Sequence, residues 1–113
     1  MTRRTLVCVC LLGALADAHA ILKSSVPRPK QILRGPDVAI TLTFNSRIDG
    51  KRSRIAVAST DAAERPLSIA DQSSPEVMRA VAKGLKSGSY TVRWQVLASD
   101  GHISRGEIPF EVQ

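Results

Sequence analysis

The sequence predicts an all-β fold, a β-sandwich or Greek-key barrel, because apolar residues alternate in several segments that turn signals separate. Val38 to Phe44 (VAITLTF) has large apolar side chains at every second position, which is the period of a half-buried strand. The segments RIAVAS (54–59) and YTVRWQVLA (90–98) alternate similarly, and each follows a turn signal that contains glycine. A last alternation over residues 107–112 closes the chain. Short strands at this spacing are typical of sandwiches and Greek-key barrels.

One segment gives conflicting signals. Ser74-Pro75-Glu76 is typical of a helix start, with an N-cap residue and a proline at the first helical position. The VMRAVA that follows, residues 77–82, can equally form a strand that leads into the turn at Gly84 to Gly88. Consistency with the other strands favours a strand at 77–82, and a helix is the alternative.

The first 18 residues predict a cleaved secretory signal peptide. Arg3 and Arg4 form its positive region, residues 6–15 form its apolar region, and Ala16-Asp17-Ala18 fits the small-x-small rule for cleavage. An uncut membrane anchor is the alternative, but the apolar run is shorter than the ~20 residues that a spanning helix needs.

Cleavage after Ala18 leaves one domain, residues 19–113, whose first residue is His19. A second small-x-small site, Ala18-His19-Ala20, would instead release a chain that begins at Ile21. The choice decides whether a histidine carries the free α-amine.

The composition excludes several functional classes. Cys8 and Cys10 both lie in the predicted signal peptide, so residues 19–113 have neither a disulfide nor a thiolate metal site. The net charge is +6, but the basic residues are scattered and aromatic residues are few, which disfavours nucleic-acid binding. The sequence has no glycine-rich phosphate loop and no arguable Ser-His-Asp grouping, so we expect that the protein is not an enzyme.

The candidate metal ligands are His19, Asp100 and His102. His19 and His102 are the only histidines, and an N-terminal His19 would offer both its amine and its imidazole to one metal ion. Asp100 and His102 are two residues apart, so in an extended segment their side chains share a face, and Gly101 between them allows a tight backbone turn. Three nitrogens and one oxygen suit Cu(II), although the donor types do not exclude zinc. The alternative is that Asp100 and His102 are solvated turn residues.

The chain has two motifs that bear on its family, the arm HAILKSSVP (19–27) and the segment GSYTVRW (88–94) followed by SDGH (99–102). The first resembles the mature N-terminus of the CopC family of periplasmic copper-binding proteins, and the second is similar to another signature of that family. The resemblance implies a Greek-key barrel of about seven strands, cupredoxin- or immunoglobulin-like. It also implies a Cu(II) site at His19, Asp100 and His102, a role in copper resistance or homeostasis, and a CopD-like partner in the inner membrane.

The sequence departs from that family at several places, including Ile103 where the family usually has a proline, and two other functions stay open. Residues 59–68 contain no Met or His, so we expect no methionine-rich Cu(I) site, and Asn45 stands where some members have a glutamate near the copper. We expect a monomer in which Trp94 and Tyr90 hold the Asp100 to His102 segment rigid. The alternatives are a copper oxygenase with an N-terminal histidine and a metal-free immunoglobulin-like binding module.

Overall fold

The structure, a computed structural model, describes residues 20–60 and 62–113. The predicted signal peptide and His19 lie outside the described residues. The described chain is all-β, as predicted, apart from a single turn of 3-10 helix at Gly50–Arg52. In this part of the chain no helix has the length and apolar character needed to cross a membrane. The strands are β1 (Leu22–Val26), β2 (Gln31–Leu33), β3 (Val38–Phe44), β4 (Arg54–Ser59), β5 (Arg65–Leu67), β6 (Val77–Ala82), β7 (Gly88–Leu97) and β8 (Ile103–Val112).

The strands form two sheets that face each other as a β-sandwich. The first sheet has the order β1-β3-β6, and the second has the order β2-β8-β7-β4-β5. All neighbours pair antiparallel except β2, which runs parallel to the end of β8. Strands that are adjacent in a sheet are often distant in sequence, which is the Greek-key pattern that we predicted.

The core lies between the inner faces of the two sheets. Every second residue of β3 is buried, and Leu42 from this strand meets side chains such as Val92 and Val96 from β7, all of them fully buried. The ring of Trp94 packs edge to face against Phe44, with ring centroids 5.2 Å apart. This pair closes the core at the end where β3 finishes.

The ambiguous segment is a strand, so the prediction is confirmed and the helical alternative is wrong. In β6, Met78, Ala80 and Ala82 are buried while the residues between them are more exposed. They pair with Leu42, Ile40 and Val38 of β3. A helix would have turned Val77, Val81 and Leu85 inward instead, and the pairing with β3 overrides the local helix-start signal at Ser74-Pro75.

Candidate metal site

The turn between β7 and β8, residues 98–102, carries two of the three predicted ligands. The N–H of Gly101 donates to the C=O of Ala98, and the N–H of Ala98 donates to the C=O of His102, both at 2.9 Å. Gly101 has a φ of +93°, a left-handed conformation that only glycine adopts readily. These features fix the backbone of Asp100 and His102 at the end of a long hairpin.

Asp100 and His102 contact each other within this turn. The Oδ1 atom of Asp100 accepts the backbone N–H of His102 at 3.1 Å and lies 3.3 Å from Nδ1 of the same residue. The backbone hydrogen bond from His102 is the main cause that lowers the pKa of Asp100 below 3.8, because it stabilises the carboxylate form. Both side chains are about half exposed, so a metal ion can reach them from solvent.

The proximity of these two side chains comes from a turn. The two-residue spacing predicts a shared face if the segment is extended, and Gly101 between the two residues also allows a tight backbone turn. The structure has the turn, in which the Asp100 carboxylate accepts the N–H two residues further on. Asp100 and His102 are therefore adjacent, as expected, and Gly101 brings this about by redirecting the chain.

The N-terminal arm is attached to the sandwich at its first described residues. Ala20 is 5% exposed and belongs to the hydrophobic core. The N–H of Ile21 donates to Oδ1 of Asn45 at 2.8 Å, and the N–H of Asn45 donates to the C=O of Ile21 at 3.0 Å. The backbone is therefore fixed one and two residues beyond position 19.

One short segment connects the arm to the turn. Asn45 binds Ile21, and two residues later the C=O of Arg47 accepts the N–H of Ser99 at 3.0 Å. Two residues of chain span at most about 7 Å. The start of the arm and the residue before Asp100 are thus attached to neighbouring points of segment 45–47.

Of the three predicted ligands, the structure brings together Asp100 and His102, while His19 lies outside the described residues. Within residues 20–60 and 62–113, no three His, Cys, Asp or Glu side chains are grouped so that they could hold a metal ion. A three-residue site that includes Asp100 and His102 therefore needs a donor from outside these ranges.

The aromatic support differs from the prediction for Tyr90. Its ring stacks on Phe110 at 5.6 Å, and its hydroxyl donates to the C=O of Lys86 at 2.7 Å. Seven residues of β7 separate it from Leu97, a distance of about 24 Å along the strand. Tyr90 therefore supports the opposite end of the sandwich, and its predicted role near Asp100 is wrong.

Trp94 lies closer to the candidate site. It is three residues before the end of β7, and it packs on Phe44, the residue directly before Asn45. The role of Asn45 itself was not predicted from the sequence, where this residue stood out only as the replacement of a glutamate. The available signal was its position directly after a buried strand, where a side-chain amide oxygen can accept a backbone N–H from a neighbouring segment.

The chain is similar to several known proteins. A family model described as the CopC domain matches residues 22–113. Protein YobA of Escherichia coli (strain K12) is 28% identical over 99 residues, which cover 85% of this chain and 80% of YobA. The crystal structure of CopC from Methylosinus trichosporium OB3b has a TM-score of 0.74 and 27% identity, and the match covers 84% of this chain and 94% of that one.

A second solved structure is PcoC, described as a methionine-rich copper resistance protein from Escherichia coli. Its TM-score is 0.71 at 29% identity, and the match covers 85% of this chain and all of PcoC. The similarity in fold therefore extends over all of PcoC and nearly all of the CopC structure. Since the family model matches most of its length, the chain belongs to the CopC family.

Proposed function

We propose that the exported protein binds one Cu(II) ion where the N-terminal arm meets the 98–102 turn. His19 supplies its α-amine and its imidazole, His102 supplies a second imidazole, and Asp100 supplies a carboxylate oxygen. Cu(II) stands highest in the affinity order of divalent metals for such nitrogen and oxygen donors, and it favours the tetragonal arrangement that four of them allow.

The observation that carries this proposal is the common attachment of arm and turn to segment 45–47. Asn45 holds Ile21, two residues after His19, and Arg47 holds Ser99, directly before Asp100, so both parts of the site are anchored to the same short stretch of chain. A site assembled from distant parts of the sequence needs such an anchor, because donors that are already positioned lose less conformational freedom when the metal binds.

The contact between Asp100 and His102 also suggests which atoms bind copper. Nδ1 of His102 faces Oδ1 of Asp100, so the imidazole proton belongs on Nδ1, and Nε2 is the nitrogen available to the metal. Oδ1 of Asp100 already accepts the N–H of His102, which leaves Oδ2 as the oxygen donor. One carboxylate thus orients the histidine and offsets part of the charge of the ion.

The biological role that follows is to sequester periplasmic copper or to deliver it, as part of copper resistance or homeostasis. Membership of the CopC family and the likeness to PcoC, a copper resistance protein, support this role. The recipient that we propose is a CopD-like transporter in the inner membrane. The protein acts by binding and handing over its ion, without catalysing a reaction.

The decisive experiment compares three purified chains that differ only at the N-terminus. One begins at His19 with a free α-amine, one begins at His19 with that amine acetylated, and one begins at Ile21. Cu(II) affinity is measured by competition with a chelator, and electron paramagnetic resonance reports the number of nitrogen donors. We expect tight one-to-one binding only for the first chain, because the other two lack the free histidine amine.

Intact-mass spectrometry of the exported protein identifies the natural first residue and the copper stoichiometry. His102→Ala should weaken binding and alter the spectrum, whereas Asp71→Asn, a change in an exposed loop, should do neither. Equal Cu(II) affinity in all three chains would refute the proposal. Copper-dependent oxidation of a polysaccharide in the presence of peroxide would favour the oxygenase, and no copper binding by the unacetylated chain that begins at His19 would favour the metal-free module.

A further inference from the structure

The side of the sandwich opposite β1 and β2 has an open groove between the edges of the two sheets. β6 is the edge strand of the three-stranded sheet, and β5 is the edge strand of the five-stranded sheet. The groove between them has a volume of about 700 Å³, and its apolar side chains include Leu67, Ile69 and Val81. A groove of this size is in the range of natural ligand sites.

The backbone of β6 faces this groove at its odd-numbered residues. The N–H of Phe44 donates to the C=O of Glu76, so in the antiparallel ladder the even-numbered residues of β6 are the ones whose backbone groups form hydrogen bonds with β3. The odd-numbered residues therefore point to the open edge, where the C=O of Arg79 accepts the N–H of Ala70 at 2.9 Å and the N–H of Val77 donates to Ser74.

The hydrogen bonds that cover the edge of β6 extend only as far as Arg79 and do not reach Val81. The N–H and the C=O of Val81 have no hydrogen-bond partner among residues 20–60 and 62–113. Its side chain is 48% exposed, beside the apolar floor of the groove. An unpaired edge with an exposed apolar side chain is the feature to which an extended peptide adds as a further strand.

The charged residues of the groove all have the same sign. They are Arg65, Arg79 and Lys83, and no Asp or Glu lines the described groove. A second copy of this chain would place three cations against three cations, which disfavours self-association at this edge. A membrane surface supplies negative charge but no backbone groups that could pair with Val81. The unpaired backbone groups of Val81 and the positive charge of the groove together favour an acidic peptide segment in extended conformation.

We propose that the edge of β6 and the adjoining groove bind an extended acidic segment of a partner protein. The segment pairs with the N–H and C=O of Val81, lays its apolar side chains on Leu67 and Ile69, and places its carboxylates near the three cations. Backbone pairing supplies affinity, and the positive rim selects acidic sequences over basic ones. This surface is separate from the proposed copper site, so the two can be tested independently.

The test uses the whole exported protein labelled with 15N and a hexapeptide of alternating glutamate and valine. Amide chemical shifts give the dissociation constant, and hydrogen exchange reports protection of the Val81 amide. We expect saturable binding that weakens with added salt, together with slower exchange at Val81. The peptide with lysine in place of glutamate, and the peptide with alternate N-methyl groups, should each bind about tenfold more weakly.

A charge-reversed variant, Arg65→Glu with Lys83→Glu, should also weaken binding about tenfold. Lys51→Glu, in the 3-10 helix outside the groove, is the matched control and should leave binding unchanged. The proposal is overturned if the lysine peptide binds equally well, if binding leaves exchange at Val81 unaltered, or if no peptide binds. It is also overturned if anionic vesicles bind through the same cations while the acidic peptide does not.

Discussion

Asn45 holds Ile21 through both its side chain and its backbone. Oδ1 of Asn45 accepts the N–H of Ile21 at 2.8 Å, and the N–H of Asn45 donates to the C=O of Ile21 at 3.0 Å. The first residue pair of β1 and β3 is Leu22 with Phe44, so the bond from Ile21 to the Asn45 side chain lies one residue nearer the start of the arm. It extends the attachment of the arm in that direction. In the proposed site, this contact limits the freedom of the residue that brings two of the four copper donors.

We therefore predict that Asn45→Ala weakens Cu(II) binding. The variant loses the side-chain acceptor but keeps the backbone bond to Ile21, so the arm is loosened and not released. One hydrogen bond of this kind contributes about 0.5–1.5 kcal/mol, which corresponds to a loss of about two- to tenfold in affinity. Competition titrations with a chelator measure the change, and thermal unfolding of the copper-free variant checks that the sandwich is intact.

Two further variants make this prediction specific. Asn45→Asp keeps an oxygen at the same position and adds a negative charge near the ion, so its Cu(II) affinity should equal or exceed that of the wild type. Ser73→Ala removes a different exposed hydrogen bond, the one that Ser73 accepts from Arg79, and should have no effect. We call the two hydrogen bonds between Asn45 and Ile21 the clamp. Unchanged copper affinity in Asn45→Ala would show that the clamp does not position the ligands.

A second prediction concerns Asp100 in the copper-free protein. Its pKa is lowered below 3.8 on folding, chiefly by the N–H of His102, so the ionised carboxylate stabilises the folded state above pH 3.8. This stabilisation is lost as the pH falls through the lower pKa of the folded protein. The difference in urea midpoint between wild type and Asp100→Ala should therefore be larger at pH 6 than at pH 2.5. Asp71→Ala is the control, and a difference that stays constant with pH would contradict the prediction.

The strands that carry the core could be predicted from the sequence, because their alternation records which face is buried. The strand at Val38–Phe44 and the alternation at Tyr90 to Ala98 show this directly. β2 and β5 could not be predicted in this way. Each has only three residues, too few to show an alternating pattern, and β5 contains Pro66, which disfavours a strand. β2 and β5 are strands because they pair with β8 and β4, respectively.

The donor residues of the candidate site could be predicted from the sequence, but the contacts that hold these residues in place could not. Histidine is rare in this chain, so His102 could be selected by its chemistry, and Asp100 could be selected because it lies two residues before His102. The clamp at Asn45 depends on a hydrogen bond across 24 residues, to Ile21, and no periodicity encodes such a contact. For Tyr90, the sequence predicted a support that the structure does not have. Tyr90 and Trp94 belong to one sequence motif, but their rings lie at different positions along β7.

A third prediction concerns Cu(I). Thioether sulfur is a ligand that Cu(I) prefers, but Met78 is the single methionine of residues 20–113, and it is fully buried in the core. We expect the protein to take no Cu(I) from a competing Cu(I) chelator. Met78→Leu, which conserves volume, should fold and should keep its Cu(II) affinity. Stoichiometric uptake of Cu(I) that disappears in Met78→Leu would contradict this expectation.

The last prediction tests how the core supports the end of the sandwich that holds the candidate site. Gly106 lies directly across from Trp94 in the β7–β8 ladder, and the indole rests against it. A Cβ atom at position 106 would lie 2.5 Å from Cε2 and 2.8 Å from Nε1 of Trp94, which is far inside van der Waals contact. The indole must therefore move in Gly106→Ala, and it can move only by disturbing its packing on Phe44.

We expect Gly106→Ala to lower the free energy of unfolding by about 1–3 kcal/mol and to weaken Cu(II) binding, because Phe44 directly precedes the clamp residue Asn45. Glu111→Ala is the control, since it introduces the same residue at an exposed position of the same strand. Trp94→Phe removes the indole atoms that clash with a Cβ at position 106. The double variant should therefore lose less free energy of unfolding than the sum of the losses in the two single variants. Chemical unfolding of the four proteins gives this coupling, with circular dichroism as the readout because the protein has one tryptophan. If the losses simply add, the indole is not what limits position 106, and the link from the core through Phe44 to the arm must be abandoned.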